Sequence, residues 1–173
     1  MLRRALREPA TLAIGIDPVA AAMAEASARA SRPVRKGGLE NALFVVAAAE
    51  SLPRELVGLA HEVTIILPWG SLLDGILAGD PGILASIATL LRPRGRLTVL
   101  LSVVERDGHP PVDRDLIDRA FADVGLRAVG RRPAGEAELR DLGSTWAKRL
   151  RVGPPDRPVT RLSYVRGHGR RSR

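Results

Sequence analysis

The chain has 173 residues, no cysteine, three histidines and 27 basic against 19 acidic side chains, for a formal charge of +8. That length is one ordinary domain, able to bury roughly 70% of its unfolded surface, and 45% hydrophobic with 27% charged residues excludes a disordered chain. Zero cysteines exclude disulfides, iron–sulfur clusters and thiolate chemistry; His61, His109 and His168 are too far apart in sequence to mark a metal site, and no apolar run approaches the ~18 residues of a membrane helix. With no basic–apolar–small leader at its start, the sequence predicts a cytoplasmic, metal-free protein. Lys36 and Lys148 are its only lysines, so the charge is carried by arginine. Guanidinium forks suit phosphate oxygens and point to a polyanionic partner, although the codon usage of a GC-rich genome also yields such a composition. Aromatics at 3% provide no stacking platform for unstructured strands, which leaves Trp69 and Trp146 as the rings to weigh.

In chain order, Leu12–Ile16 reads as a strand ending at Asp17, followed by a helix over Pro18–Ala30 with proline near its start. A basic, glycine-containing connector, Ser31–Gly38, leads to a strand at Leu43–Ala49, and Pro53–Leu59 can form a short helix. Val63–Leu67 is a β-branched strand stopped by Pro68, and Ser71–Leu91 is helical with a break at Asp80-Pro81-Gly82. The turn Arg92-Pro93-Arg94-Gly95 feeds a strand at Leu97–Ser102. Asp113–Val124 is amphipathic, with Leu116, Ile117, Ala120, Phe121 and Val124 on one face and Gly125 as its stop. A weak strand at Leu126–Val129, a helix-leaning stretch over Ala134–Leu150 and a final strand at Val159–Val165 complete a domain over residues 1–165, and residues 166–173 form a frayed basic tail. Apolar strands alternating with helices predict an open α/β sheet, mostly parallel, covered on both faces and carrying an antiparallel edge strand.

Ligands of such sheets bind beyond the carboxyl ends of the strands. Asp17 there suits a ribose diol, or equally the N-cap of the following helix. Ala49 lets backbone approach a flat ring and Glu50 can accept from an exocyclic amine, although an unoccupied solvated glutamate is the plainer reading. Trp69, between Pro68 and Gly70, projects at the sheet's active edge or else covers a helix end as core. Ser71 lies outside any nucleophile elbow. Ser144, Thr145, Trp146, Lys148 and Arg149 gather hydroxyls, an indole and two cations in a few residues; an amphipathic helix burying Trp146 and Leu150 is the alternative. Two indoles could sandwich an extruded base.

Asp17 ending an early strand, Leu90–Gly95 before a strand and the helix–glycine unit Asp115–Gly125 resemble class I S-adenosylmethionine (SAM)-dependent methyltransferases, with their Rossmann-like sheet. Lys36–Asn41, Ala49–Pro53, Leu67–Leu73 and Ser144–Leu150 resemble, more narrowly, the Kam/Npm-type aminoglycoside-resistance enzymes, which methylate N1 of adenine 1408 in 16S rRNA of the 30S subunit. The resemblance runs from about Arg3 to Val165. It implies that Asp17 holds the ribose of SAM and that Ala49 and Glu50 contact its adenine. Trp69 and Trp146 would clamp the target base, with Ser144 closing the site, while Arg35, Lys36, Lys148 and Arg149 meet RNA phosphates.

The sequence departs from the family at its start. The family's first strand and glycine-rich acidic loop have no counterpart here; residues 1–8 look like the end of the helix that follows that loop, so the central strand of the sheet is expected to be missing, either because the true start lies upstream or because the copy is damaged. Weak SAM binding by the 173-residue chain is the expectation, and a low-micromolar dissociation constant would overturn it. A class I methyltransferase acting on another RNA or on a small molecule, and an inactive RNA-binding remnant, are the alternative functions.

Overall fold

The computed structural model describes residues 1–135, 137–139 and 157–167. The chain divides into two compact units, residues 1–51 and 52–173. In the first, helix α1 (Leu2–Arg7) precedes strand β1 (Ala13–Asp17), helix α2 (Ala20–Ala30), a 3-10 turn at Val34–Lys36 and strand β2 (Ala42–Val46). The second contains a 3-10 turn at Arg54–Leu56, strand β3 (Ala60–Ile66), helices α3 (Ser71–Ala78) and α4 (Pro81–Leu90), strand β4 (Leu91–Leu101), helix α5 (Arg114–Asp123) and strands β5 (Leu126–Pro133) and β6 (Thr160–Arg166).

The strands make two sheets. β1 and β2 pair in parallel, Ala13 opposite Ala42 and Asp17 opposite Val46. The other sheet has the order β3-β4-β6-β5, with β3 and β4 parallel and β6 antiparallel to both its neighbours. Strand–helix alternation is therefore as expected, and β1 and β3 each have a single partner among the described residues. The antiparallel strand corrects the expectation: β6 lies inside the sheet, between β4 and β5, and β5 takes the edge. Arg166, assigned from sequence to the tail, is the last residue of β6 and pairs with Leu126.

Local signals explain the element ends. α3 stops at Gly79, in the left-handed region, and α4 restarts at once because Asp80 accepts a hydrogen bond from the Ile83 N–H at 2.9 Å and Pro81 is preset for a first helical position. Asp113 caps α5 in the same way, accepting from the amides of Asp115 and Leu116. The turn expected at residues 92–95 is an excursion within β4: Leu91 pairs with Ala60 and Arg96 with Glu62, so four residues stand opposite His61 alone.

The core belongs to the second unit. Leu97 and Val99 share one face of the sheet with their register partners Tyr164 and Leu162, all at most 1% exposed. Leu73, Ile76, Leu84, Ile87, Ile117 and Phe121 are among the buried apolar side chains of α3, α4 and α5. Phe121 packs on Tyr164 at a centroid separation of 4.5 Å, and the Tyr164 hydroxyl donates to Asp118 at 2.7 Å. A second cluster at the carboxyl end of β4 joins Leu67, Leu100, Ala134 and Val159. The first unit is drier in sequence than in structure: β1 is half-buried throughout and Leu43 and Val46 on β2 are half or more exposed, so burial on both faces does not extend to this pair.

A cavity at the Phe121–Tyr164 contact cannot collapse between a helix and a sheet. Phe121→Ala should therefore lower stability by about 3–5 kcal/mol, measured as a shift of the urea midpoint with the slope unchanged.

Candidate functional site

At the carboxyl end of the β1–β2 pair, the ladder continues one residue past the strands, with the Ala47 N–H donating to the Asp17 carbonyl at 3.3 Å. Residues 48–51 then turn back, closed by a bond from the Ser51 N–H to the Ala48 carbonyl at 3.0 Å. Asp17 and the turn carrying Ala49 and Glu50 thus leave adjacent parallel strands at the same end. Ala47, Ala48 and Ala49 are half-buried and Glu50 is exposed.

Asp17 is half-buried, and its Oδ1 accepts from the Val19 N–H at 2.8 Å. It is not the helix N-cap, which corrects that alternative: α2 begins at Ala20 with Val19 as its cap. The short bond across Pro18 fixes the carboxylate while its Oδ2 makes no hydrogen bond to another described residue.

Arg35 and Lys36 sit exposed on the 3-10 turn at Val34–Lys36. Gly37 closes that turn at φ 80°, and the chain folds so tightly onto the end of α2 that a Cβ on Gly38 would lie 1.6 Å from the Arg32 carbonyl oxygen. Asn41, three residues on, donates from its amide to the carbonyls of Ala5, Glu8 and Thr11 at 2.9–3.1 Å, which ties the end of α1 to the start of both strands. From sequence Asn41 has no assigned role; no local pattern announces a side chain that reaches back thirty residues or more.

In the second unit, the Leu67 N–H extends the β3–β4 ladder to the Leu100 carbonyl at 2.9 Å, and Leu67 itself is held at φ 48°. A non-glycine residue in the left-handed region is costly and is kept there by its surroundings. Gly70 follows at φ 58° and ψ −141°, reachable without strain only by glycine, and becomes the cap of α3. Between these two special positions Trp69 is 51% exposed, so it is not a core tryptophan. Its ring meets that of His109 edge to face at 6.5 Å, and His109 Nδ1 lies 3.5 Å from an oxygen of Asp74. His109 was passed over in sequence because it is remote from the other histidines; its place in the loop after a strand's carboxyl end was the signal available.

Two acids, Asp107 and Glu138, are held in ion pairs with arginines. Arg157, 4% exposed, donates to both carboxylate oxygens of Asp107, whose Oδ2 also accepts from the Val104 N–H at 3.0 Å. The Arg157 hydrogen bonds hold Asp107 below the usual carboxylate range, against burial, which works the other way. Burial pushes the Glu138 carboxyl up, but bonds from Arg161 and Arg132 outweigh it, so this acid too lies low. Arg161 also donates to Thr98 at 3.0 Å. Ser144, Trp146, Lys148 and Arg149 fall outside the described residues. No group of three or more His, Asp or Glu is placed to hold a metal ion among the described residues. No single described helix is long and apolar enough to cross a membrane.

Strand–helix alternation with an antiparallel strand inserted late in the chain is the architecture of class I methyltransferases. Residues 1–164 match the family NpmA: 16S rRNA (adenine(1408)-N(1))-methyltransferase. The chain belongs to that family. A 16S rRNA (adenine(1408)-N(1))-methyltransferase from Streptoalloteichus tenebrarius is 33% identical over 157 residues, covering 84% of this chain and 72% of its own. One from Escherichia coli is 29% identical over 162 residues, covering 86% and 74%. Among solved structures, a variant of the enzyme from Catenulisporales acidiphilia with cosubstrate SAM superposes with a TM-score of 0.84 at 28% identity, over 99% of this chain and 82% of that one.

Removing one member of the buried Asp107–Arg157 pair leaves an uncompensated charge, so Asp107→Asn should cost about 3–5 kcal/mol at neutral pH. Because folding lowers the Asp107 and Glu138 pKa values, their stabilisation is complete above the unfolded carboxylate pKa of about 4 and is lost as pH falls through the lower folded values. Urea midpoints between pH 7 and pH 2 should show that acid loss in the wild type and a smaller one in Asp107→Asn.

Proposed function

We propose that the chain is a SAM-dependent methyltransferase that transfers a methyl group to N1 of adenine 1408 in 16S rRNA, with the assembled 30S subunit as its partner and the cytoplasm as its place of action. The observation that carries this reading is the family match across residues 1–164, which spans both units. The same match supports treating residues 1–165 as one methyltransferase domain.

The described residues suit the adenosine half of SAM. A ribose diol needs an acceptor, and Asp17 offers Oδ2 on a carboxylate already fixed through Oδ1. A flat adenine needs a wall without bulky side chains beside a polar group, which Ala47–Ala49 and Glu50 provide. SAM, when bound, supplies an electrophilic sulfonium methyl. Adenine N1 has an in-plane lone pair and no proton at neutral pH, so no general base is required, and the protein's task is alignment, which can contribute up to about 7–11 kcal/mol. Trp69 offers an exposed π face for the target base, and Trp146 is proposed as the opposite plane, with Ser144 closing the site. The product ring is cationic, and aromatic faces favour it by roughly 0.5–2 kcal/mol. Arg35, Lys36, Lys148 and Arg149 are proposed to meet RNA phosphates.

The test is incubation of the chain with 30S subunits and methyl-labelled SAM, followed by reverse transcription. Arrest at adenine 1408 is expected at SAM concentrations high enough to offset weak cofactor binding. Label in other nucleotides would favour a methyltransferase of different specificity, and subunit binding without label would favour an RNA-binding protein. Trp69→Ala should reduce transfer by the worth of one base stack, about 1–3 kcal/mol, with SAM affinity unchanged by calorimetry, whereas Asp17→Ala should abolish SAM binding and leave subunit binding intact.

A further inference from the structure

The backbone around Trp69 is fixed on both sides, by Leu67 at φ 48° and Gly70 at φ 58°. Its side chain is not fixed by the backbone. At 51% exposed the indole has solvent beside it, and an exposed side chain turns among staggered rotamers on the picosecond to nanosecond scale. A ring that stacks on an extruded base gains nothing from such freedom, because alignment is what lowers the barrier.

His109 supplies a restraint. It lies in the connection between β4 and α5, and its imidazole stands at 90° to the indole with the ring centroids 6.5 Å apart, within the range over which aromatic pairs attract. A perpendicular neighbour limits rotation without lying across the ring as a stacked one would. The imidazole is held in turn, with Nδ1 3.5 Å from an oxygen of Asp74 in the first turn of α3. The Asp74 N–H donates to the Gly70 carbonyl at 2.9 Å. Asp74 thus belongs to the same bend of chain as Trp69, and His109 bridges the two.

The backbone that carries His109 is pinned as well. A 3-10 turn at Glu105–Asp107 ends at Gly108, φ 74°. Asp107, the last residue of that turn, has a side chain only 6% exposed and accepts from both terminal nitrogens of Arg157. His109 comes two residues later with its side chain 22% exposed. Histidines in surface connections ordinarily face water. This one is held through its backbone by a buried ion pair and at its ring by an acid and an indole.

We propose that His109 is a positioning residue for methyl transfer: it holds the Trp69 ring in the plane on which the target base stacks, with Asp74 fixing the imidazole. His109 exchanges no proton and touches no substrate; it acts through Trp69. The inference rests on the proposed stacking role of Trp69 and deepens it by naming what keeps that ring in place.

The test is a double-mutant cycle on the full chain, read as methyl transfer to 30S subunits at SAM concentrations high enough to saturate. His109→Ala should lower kcat about two- to tenfold, the worth of one aromatic pair, with the KM for subunits and SAM affinity unchanged. His109→Phe, which keeps a ring at that place, should restore the rate. In a Trp69→Ala background His109→Ala should cost nothing further, because a residue that acts through the indole has no effect once the indole is gone. Equal losses in both backgrounds, or a phenylalanine variant as slow as the alanine one, would overturn the proposal.

A second arm needs no activity. In a Trp146→Phe background Trp69 is the one remaining tryptophan, and its time-resolved fluorescence anisotropy reports rotation of that ring. His109→Ala should enlarge the fast component and Asp74→Ala should do so to a lesser degree, with urea midpoints confirming that each variant folds. An anisotropy decay identical with and without His109 overturns the restraint. If the wild type transfers no methyl, the enzymatic reading falls, and the anisotropy alone then decides whether His109 holds the ring.

Discussion

The backbone ladder that holds Leu97–Leu101 between β3 and β6 is the constraint on which the second unit depends. Leu97–Leu100 are in register with β3 on one side, Leu97–Leu101 with β6 on the other, and all are buried, so neither lateral slip nor rotation is open to the strand. At its carboxyl end the ladder sets the Leu67 backbone, from which Trp69 is projected. Beyond that end Ser102 donates to the Pro158 carbonyl at 2.9 Å, beside Arg157 and its bond to Asp107. At its amino end the same strand presents Arg96. One rigid element thus fixes a ring at one end and charge at the other.

What could be read from the sequence was what local chemistry decides. The Asp80-Pro81-Gly82 break, the amphipathic face ending at Gly125 and the proline stop after Leu67 each depend on residues within a few positions, and each is present. The extent of β4 was underestimated because Arg92–Gly95 has turn chemistry, yet Leu91 on its far side still pairs with Ala60. The position of β6 was missed because an alternating apolar strand carries no mark of the neighbours it will choose. The positions of Asp17, Ala49, Glu50 and Trp69 near the carboxyl ends of strands were legible because each lies at a strand's last residue or within four residues of it, while the roles given to them are proposals. The Asp107–Arg157 pair was not, because partners 50 residues apart meet only through the fold.

The arginine-rich composition divides, in the structure, into two uses. Arg157, Arg161 and Arg166 have their guanidinium groups engaged with Asp107, with Glu138 and Thr98, and with carbonyls at the end of α4. These are structural cations, and their fork of fixed donors suits such multiple bonding. Arg35 and Lys36 on their glycine-closed turn, and Arg96 and Arg127 on the sheet, face solvent instead. Net charge alone therefore overstates the surface available to an anion, and it is the positions of a few cations that direct binding.

The place of β6 has a consequence for how the chain is made. It is the last strand among the described residues, yet it fills the space between β4 and β5, and its final side chain, Arg166, closes the end of α4 by bonds to the carbonyls of Ala88 and Thr89, 78 and 77 residues earlier. During synthesis β4 and β5 emerge well before the strand that joins them and cannot pair with each other in its absence without being prised apart later. Such non-local closure slows folding and leaves strand edges exposed to other chains meanwhile. Synthesis must therefore pass Arg166 before the sheet can be completed.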